Sequence, residues 1–196
     1  MKRLSLCLIL ILFTFQTPSQ ADDIRDFQIE GMSIGDSLLD YFSKKEIKDN
    51  ANTDYYTNNK YTSVEFYQLP FLKIYDAVHF NYKMGDKKYI IDAIGGTLFC
   101  EKNIEKCNKK QKEIDLEISN MFENAQKDVS KDKHDADKSG KSTTSQINFW
   151  FKSGEVVSIE LLDWSEKITN EKGWTDNVNV SFRTEEFNDF LGIAFK

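Results

Sequence analysis

The sequence has few of the residues from which metal and redox sites are built. Its two histidines, His79 and His134, lie far apart in the chain, and its three cysteines include no Cys-x-x-Cys pair. A zinc site needs further Cys, His or carboxylate ligands beside two histidines. A dithiol redox centre needs closely spaced cysteines. We therefore expect no metal and no other cofactor.

Positive charge is also scarce, and arginine is the scarcer of the two basic residues. The chain has 26 Lys and Arg, three of them arginine, against 32 Asp and Glu. Loss of Lys2 and Arg3 with the N-terminal segment described next leaves 24 basic residues and a net charge of −8. Because nucleic-acid-binding proteins carry a basic surface, we expect no nucleic-acid partner.

The sequence has one long apolar run, near the N-terminus, and no second one. The first occupies residues 4–15, follows two basic residues, and precedes Ser19 and Ala21, which place small side chains at a cleavage position. This pattern predicts a secretory signal peptide at residues 1–21. The run is shorter than the roughly 20 apolar residues that cross a bilayer. We expect a periplasmic or secreted protein that does not span the membrane, with no lipid on Cys7, which precedes most of the run.

Cys100 and Cys107 are the two cysteines that remain after this cleavage. An exported chain meets an oxidising compartment, where a single remaining pair is typical of a disulfide. The pair would tie the end of an expected strand to the helix that follows it. The sequence therefore predicts a structural Cys100–Cys107 disulfide.

The clearest strand pattern lies in residues 146–183. Three apolar sets alternate with polar neighbours, and a period of two places each set on one face of a sheet. The sets are Ile147, Phe149 and Phe151; Val157, Ile159 and Leu161; and Val178, Val180 and Phe182. A three-residue turn at 152–154, with Gly154 in the left-handed conformation, sets the register of residues 147–161 and keeps the first two sets together.

The rest of the chain predicts an α+β fold. Strands are expected near residues 62–68, 74–82 and 88–99, and helices near 36–48, near 104–121 and after Thr184. Gly95 and Gly96 interrupt the last strand, which indicates a bulge or a close backbone approach. Residues 126–145 are polar and lack periodicity, which predicts a mobile loop. We expect one domain, residues 22–196, with an antiparallel sheet of about six strands and helices on one face.

A weak internal repeat links two of the expected hairpins. Phe80, Tyr82, Lys83, Gly85 and Asp86 recur 69 positions later as Phe149, Phe151, Lys152, Gly154 and Glu155. A duplicated helix-plus-hairpin unit would produce this match, and so would two unrelated amphipathic hairpins.

One tetrapeptide, residues 35–38, resembles the motif of the GDSL esterases and lipases, in which the serine, here Ser37, is the nucleophile. Asp76 and His79 match that family's D-x-x-H motif. In that family, however, the D-x-x-H lies near the C-terminus of a parallel-sheet fold, whereas here it falls about 40 residues after the serine, in an expected antiparallel strand. Its oxyanion-hole motifs are also missing. We expect Ser37 to cap a helix.

A second motif, Asp135, Asp137, Ser139 and Gly140, matches the start of a calcium-binding loop. The twelfth loop position should be a glutamate but is Gln146, and no helices are expected on either side. A solvated polar loop explains these residues better than a calcium site.

Two further pairs are candidates for ligand contact. Trp150 projects from the polar side of its strand and Trp164 could join it, either as exposed binding aromatics or beneath the expected loop. A three-residue turn at 83–85 would place Asp76 opposite Asp92, where two carboxylates could share a proton or a cation. Solvent exposure or a different register would remove that site.

The chain resembles, in layout and in residues 31–39 and 137–144, a family of uncharacterised small secreted proteins of Gram-negative marine bacteria. No activity follows from this resemblance. The sequence favours a non-enzymatic binding or interaction module with a protein or small-molecule partner. A hydrolase or another enzyme whose site is not visible in the sequence is the alternative.

Overall fold

The computed structural model describes residues 27–100 and 103–194, so the expected signal peptide lies outside them. Their fold is α+β, with one antiparallel sheet of eight strands instead of about six. The strands are β1 (Ala51–Asn52), β2 (Tyr61–Tyr67), β3 (Ala77–Lys83), β4 (Ala93–Phe99), β5 (Gln126–Lys133), β6 (Thr143–Trp150), β7 (Val156–Asp163) and β8 (Asn177–Arg183). The helices are α1 (Lys44–Asp49), α2 (Ile104–Met121), α3 (Glu166–Lys172) and α4 (Glu185–Leu191). Within the described ranges, none of the helices combines the length and apolarity needed to cross a membrane.

The sheet consists of two four-stranded halves that meet at their last strands. The strand order is β1-β2-β3-β4-β8-β7-β6-β5, so β4 lies beside β8 at the centre. Helix α2 connects the halves, and a helix precedes the strands of each. Each half is therefore a helix followed by four antiparallel strands, the layout that a duplicated helix-plus-sheet unit would have. The sequence repeat does not follow this shared layout. It aligns β3, which is the third strand of the first half, with β6, which is the second strand of the second half.

The register expected for residues 147–161 is confirmed. Phe149 pairs with Val157 and Ile147 with Ile159, and Gly154 has a φ of 90°. The three-residue turn closes with a hydrogen bond from Gly154 N to Phe151 O of 3.0 Å. Alternation and turn length together determined this pairing, because a shift of one residue would have exposed an apolar set.

The segment expected to be a mobile loop at residues 126–145 contains strand β5 and a turn. β5 pairs with β6 along its full length, from Gln126 opposite Trp150 to Lys133 opposite Thr143. It is an edge strand whose side chains are mostly exposed, including Val129. A strand held by backbone hydrogen bonds and solvated on both faces needs no apolar alternation, so the sequence pattern did not reveal it.

The helix expected at residues 36–48 is divided in two. Ser37 caps a 3₁₀ turn, Leu38–Asp40, and Ser43 caps α1 through a capping box with Glu46. The second cap ends the first turn because the backbone of an N-cap residue is extended.

The two faces of the sheet differ in polarity. One face packs against the segment before β1 and against α2, and the disulfide Cys100–Cys107 joins the end of β4 to α2 with an S–S distance of 2.03 Å. Helix α4 packs on the opposite face, where Phe187 and Phe190 contact Tyr61. The helices are therefore not all on one face. The second face carries a local apolar patch, and α4 packs over it.

Candidate functional site

The second face of the sheet carries polar side chains in three adjacent rows. Alternate residues of a strand share a face, and the register aligns those residues across β3, β4, β8 and β7. The rows are Asn81, Ala93 and Arg183; His79, Gly95, Ser181 and Ser158; and Thr97, Asn179 and Glu160. Charged and amide groups thus lie over the centre of the sheet, where β4 meets β8.

A cavity of about 270 Å³ lies above these rows. The small residues Ala93 and Ser181 are in its floor, and Glu65, Glu160 and Arg183 contribute charged side chains. Its apolar and aromatic lining comes from the loop before β2, through Tyr55 and Tyr56, and from Phe187 and Leu191 around α4. The volume is near the lower end for small-molecule sites, which are typically about 300–1,000 Å³.

Arg183 lies in this floor without a counterion in contact. Its Nε is buried and has no hydrogen-bond partner among the described residues. None of the ion pairs formed within residues 27–100 and 103–194 includes it. Burial lowers the pKa of Arg183, an effect opposed by Glu160 and Tyr56, yet guanidinium stays protonated in proteins. Such a cation is costly to bury and can bind an anion.

Glu160 and Asn179 are direct neighbours across β7 and β8. Burial raises the pKa of Glu160, against the effects of a hydrogen bond from Gln146 and the charge of Arg183. The Gln146 Nε2 to Glu160 Oε1 distance is 3.1 Å. Asn179 Oδ1 is buried and accepts no hydrogen bond from the described residues. The cavity therefore offers two adjacent acceptors in addition to the guanidinium donor.

His79 lies over Gly95 in the middle row. A Cβ added at Gly95 would be 2.1 Å from Cε1 of the imidazole, and one at Gly96 would be 2.5 Å from the Tyr75 ring on the other face. The glycine pair predicted a bulge or a close backbone approach, whereas the groups that lie close to β4 at these positions are side chains, one on each face. Burial, and secondarily the charge of Arg183, lower the pKa of His79 to about 4. His79 is thus neutral at pH 7.

The aromatic wall is attached to the floor and to α4. The hydroxyl of Tyr56 donates to Asn81 Oδ1 at 2.7 Å, and its ring lies 5.0 Å from that of Phe190. Burial raises the pKa of both Tyr55 and Tyr56, so their hydroxyls stay protonated. Glu186 holds α4 in place through Lys83 at 2.5 Å and Lys60 at 3.1 Å.

The structure does not bring Asp76 and Asp92 together. The observed register pairs Ala77 with Thr97 and Asn81 with Ala93, so the two aspartates lie at opposite ends of the hairpin, about 20 Å apart by strand rise. Asp76 Oδ2 accepts from Phe99 N at 2.8 Å. The expected turn forms, with a hydrogen bond from Asp86 N to Lys83 O of 3.0 Å, but it does not set the expected register. Residues 89–91 bond to the segment at 35–38 instead of pairing with β3.

The two tryptophans are not neighbours and lie outside the cavity. Trp150 is 37% exposed, and its indole Nε1 donates to Asp128 on the edge strand β5. Trp164 follows β7 and packs on His134 and Trp174, with ring centroids at 4.4 and 4.7 Å. A second cavity of about 320 Å³ lies beside Trp164, but it contains none of the buried unpartnered polar atoms found in the described residues.

The esterase-like residues also lie apart. Ser37 Oγ donates to Lys88 O at 2.6 Å and accepts from Leu39 N at 3.2 Å, as expected of a cap. Its neighbour Leu38 belongs to the core of the apolar face, whereas His79 faces the cavity on the other side of the sheet. Ser37, Asp76 and His79 therefore cannot form a triad.

The calcium-like motif is a structural turn. Asp137 is buried, and its Oδ2 accepts from Ser142 N, Ser142 Oγ and Ser165 Oγ at 3.0, 2.7 and 2.8 Å. Hydrogen bonds from Ser139, Ser142 and Ser165 hold the pKa of Asp137 well below its usual range. Gln146 lies in β6 and contacts Glu160 instead. The described residues contain no group of three or more His, Cys, Asp or Glu arranged to hold a metal ion.

Sequence reasoning missed the residues that line the cavity, except His79, which it considered only for other sites. The available signal was the polar set between the apolar residues of the last two strands: Ser158, Glu160, Asn179, Ser181 and Arg183. A glutamate and an arginine inside a sheet are unusual unless paired, and these positions share a face. What the sequence could not supply was the pairing of β4 with β8, which joins the two halves.

No family model, curated protein or solved structure matches this chain. The resemblance to a family of small secreted proteins stays a prediction.

Proposed function

We propose that this protein is a non-enzymatic binding module that holds a small organic carboxylate in the cavity on the polar face of the sheet. The observation that carries the proposal is the buried Nε of Arg183, which has no partner among the described residues. A guanidinium presents its N–H groups as a planar fork that matches a carboxylate. A bound carboxylate would provide both the missing hydrogen bond and the missing charge.

The charge of the cavity favours a singly charged anion over a phosphate. Glu65 and Glu160 line the same space as Arg183, and His79 is neutral at pH 7. Two carboxylates close to one guanidinium would repel a dianion more strongly than a monoanion. The cavity volume of about 270 Å³ limits the ligand to a small molecule.

A hydrolase is the second candidate, because Ser181 and His79 flank Gly95 on the same face. A serine nucleophile needs a histidine that can take its proton. With a pKa of about 4, His79 is a weak base at neutral pH, and no hydrogen bond joins it to Ser181 in the described part of the chain. These facts favour binding over catalysis.

The expected signal peptide and the Cys100–Cys107 disulfide support a place of action outside the cytoplasm. The ligand would then be a solute of the periplasm or of the medium. Reactivity with a fluorophosphonate probe tests the second candidate: labelling lost in Ser181→Ala would favour a hydrolase.

Isothermal titration with straight-chain carboxylates of two to six carbons, and with the matching neutral amides, tests the binding function. We expect at least one carboxylate to bind and its amide not to bind. Arg183→Gln should weaken carboxylate binding at least tenfold, because the charge-assisted hydrogen bonds are lost. Lys152→Gln, in the exposed turn between β6 and β7, is the matched control and should bind as the wild type does. Equal binding by Arg183→Gln, or no binding of any carboxylate, would overturn the proposal.

A further inference from the structure

We infer that the ligand is a zwitterion, a small molecule with a carboxylate for Arg183 and an ammonium group for Glu160 and Asn179. This inference rests on the proposed function and adds a second anchor to it. An amino acid is the chemical class that fits.

The first observation is the separation of the two charges. Arg183 and Glu160 lie on neighbouring strands, but Glu160 pairs with Asn179, which is about 13 Å from Arg183 along β8 by strand rise. Within the described residues the two groups form no ion pair. The small residues Ser158 and Ser181 occupy the row between them. Space for a ligand therefore lies between a cation and an anion.

The second observation is the pair of adjacent acceptors at the Glu160 end. Asn179 Oδ1 is buried and unpartnered, and the carboxylate of Glu160 lies on the directly paired residue. Gln146 is the side chain that donates to this carboxylate, at 3.1 Å. An ammonium group has three donors and no acceptor, so it can satisfy both oxygens at once. A hydroxyl group has one donor and would leave one of them unsatisfied.

The electrostatic environment of Glu160 also favours a ligand with an ammonium group. Burial raises the pKa of Tyr55, and the charges of Glu65 and Glu160, which line the same cavity, raise it further. Burial raises the pKa of Glu160, the direction expected when a carboxylate is withdrawn from water without a contacting counterion. A ligand ammonium would supply that counterion. A simple carboxylate ligand would leave Glu160 without one.

Pentanoate and its amino derivatives, with the amino group on carbon 2, 3, 4 or 5, measure the distance between the two anchors. Titration calorimetry on the full chain should show at least one amino derivative that binds ten times or more tighter than pentanoate. Glu160→Gln should remove that preference while pentanoate binding is retained. Asn179→Ala is the second variant and should weaken the same derivative. Glu171→Gln, on the exposed surface of α3, is the control and should change neither ligand.

The outcomes separate the two proposals. If pentanoate binds through Arg183 and no amino derivative binds more tightly, the zwitterion inference is wrong and the proposed function stands. A preference for an amino derivative that persists in both Glu160→Gln and Asn179→Ala would also overturn the inference. If neither pentanoate nor any derivative binds, both proposals fail.

Discussion

The imidazole of His79 occupies the space that a side chain at Gly95 would need. The two residues pair across β3 and β4, and a Cβ at Gly95 would lie 2.1 Å from His79 Cε1. The glycine therefore allows the imidazole to lie directly over the centre of the sheet. Without it, the floor of the cavity could not have its present shape.

Gly95→Ala should destabilise the protein by about 1–3 kcal/mol, because the added methyl group forces the ring out of its position. Urea unfolding at pH 7 measures the change. The double variant Gly95→Ala with His79→Ala should lose less stability than the two single variants together, since the clash no longer exists. Additive losses would mean that the imidazole does not lie over the glycine.

His79 should make stability fall as the pH is lowered from 7 to 5. Its pKa is lowered to about 4 in the folded chain, against about 6.5 when unfolded. The unfolded state therefore binds more protons in this range, and stability rises with pH. The expected contribution is about 2 kcal/mol between pH 5 and pH 7.

The difference between wild type and His79→Gln in urea unfolding at these two pH values isolates this contribution from that of the carboxylates. Glu160, whose pKa is raised by burial, acts in the opposite direction and is common to both proteins. An identical pH dependence in the two proteins would show that His79 is accessible to water.

Loss of the disulfide should cost about 2–3 kcal/mol, as expected for the short loop closed by Cys100 and Cys107. The test is urea unfolding of Cys100→Ser with Cys107→Ser. Iodoacetamide without a reductant should modify neither cysteine of the oxidised protein. Alkylation at both positions in exported protein would contradict the bond.

Arg183→Gln should stabilise the free protein by about 1 kcal/mol, because removal of a partly buried charge without a contacting counterion relieves part of its desolvation cost. Such a gain is typical of a site whose residues serve binding more than folding. Thermal unfolding without ligand measures it, and Lys152→Gln should show no change. A large loss of stability in Arg183→Gln would instead indicate a structural role for the arginine.

Local signals in the sequence predicted much of this fold. The alternation around Phe149 and Val157 and the turn at Gly154 determined a register, and the caps at Ser37 and Thr184 were correct. Edge strand β5 was missed because a solvated strand carries no alternation. The site was missed because it depends on non-local pairing: two helices, α2 and α3, and three strands lie between β4 and β8 in the chain. Until β4 and β8 are placed side by side, nothing connects His79 to Arg183.

The Arg183 Nε–H resonance gives the most direct test of the proposed carboxylate site. The chain has three arginines, Arg3, Arg25 and Arg183, so the arginine region of a ¹H–¹⁵N spectrum is sparse, and Arg183→Gln identifies the signal by its disappearance. Addition of pentanoate or its tightest-binding amino derivative should shift this resonance downfield and saturably, while other arginine signals stay in place. A ligand that binds without moving the Arg183 Nε–H signal would contradict the assignment of Arg183 as the carboxylate anchor.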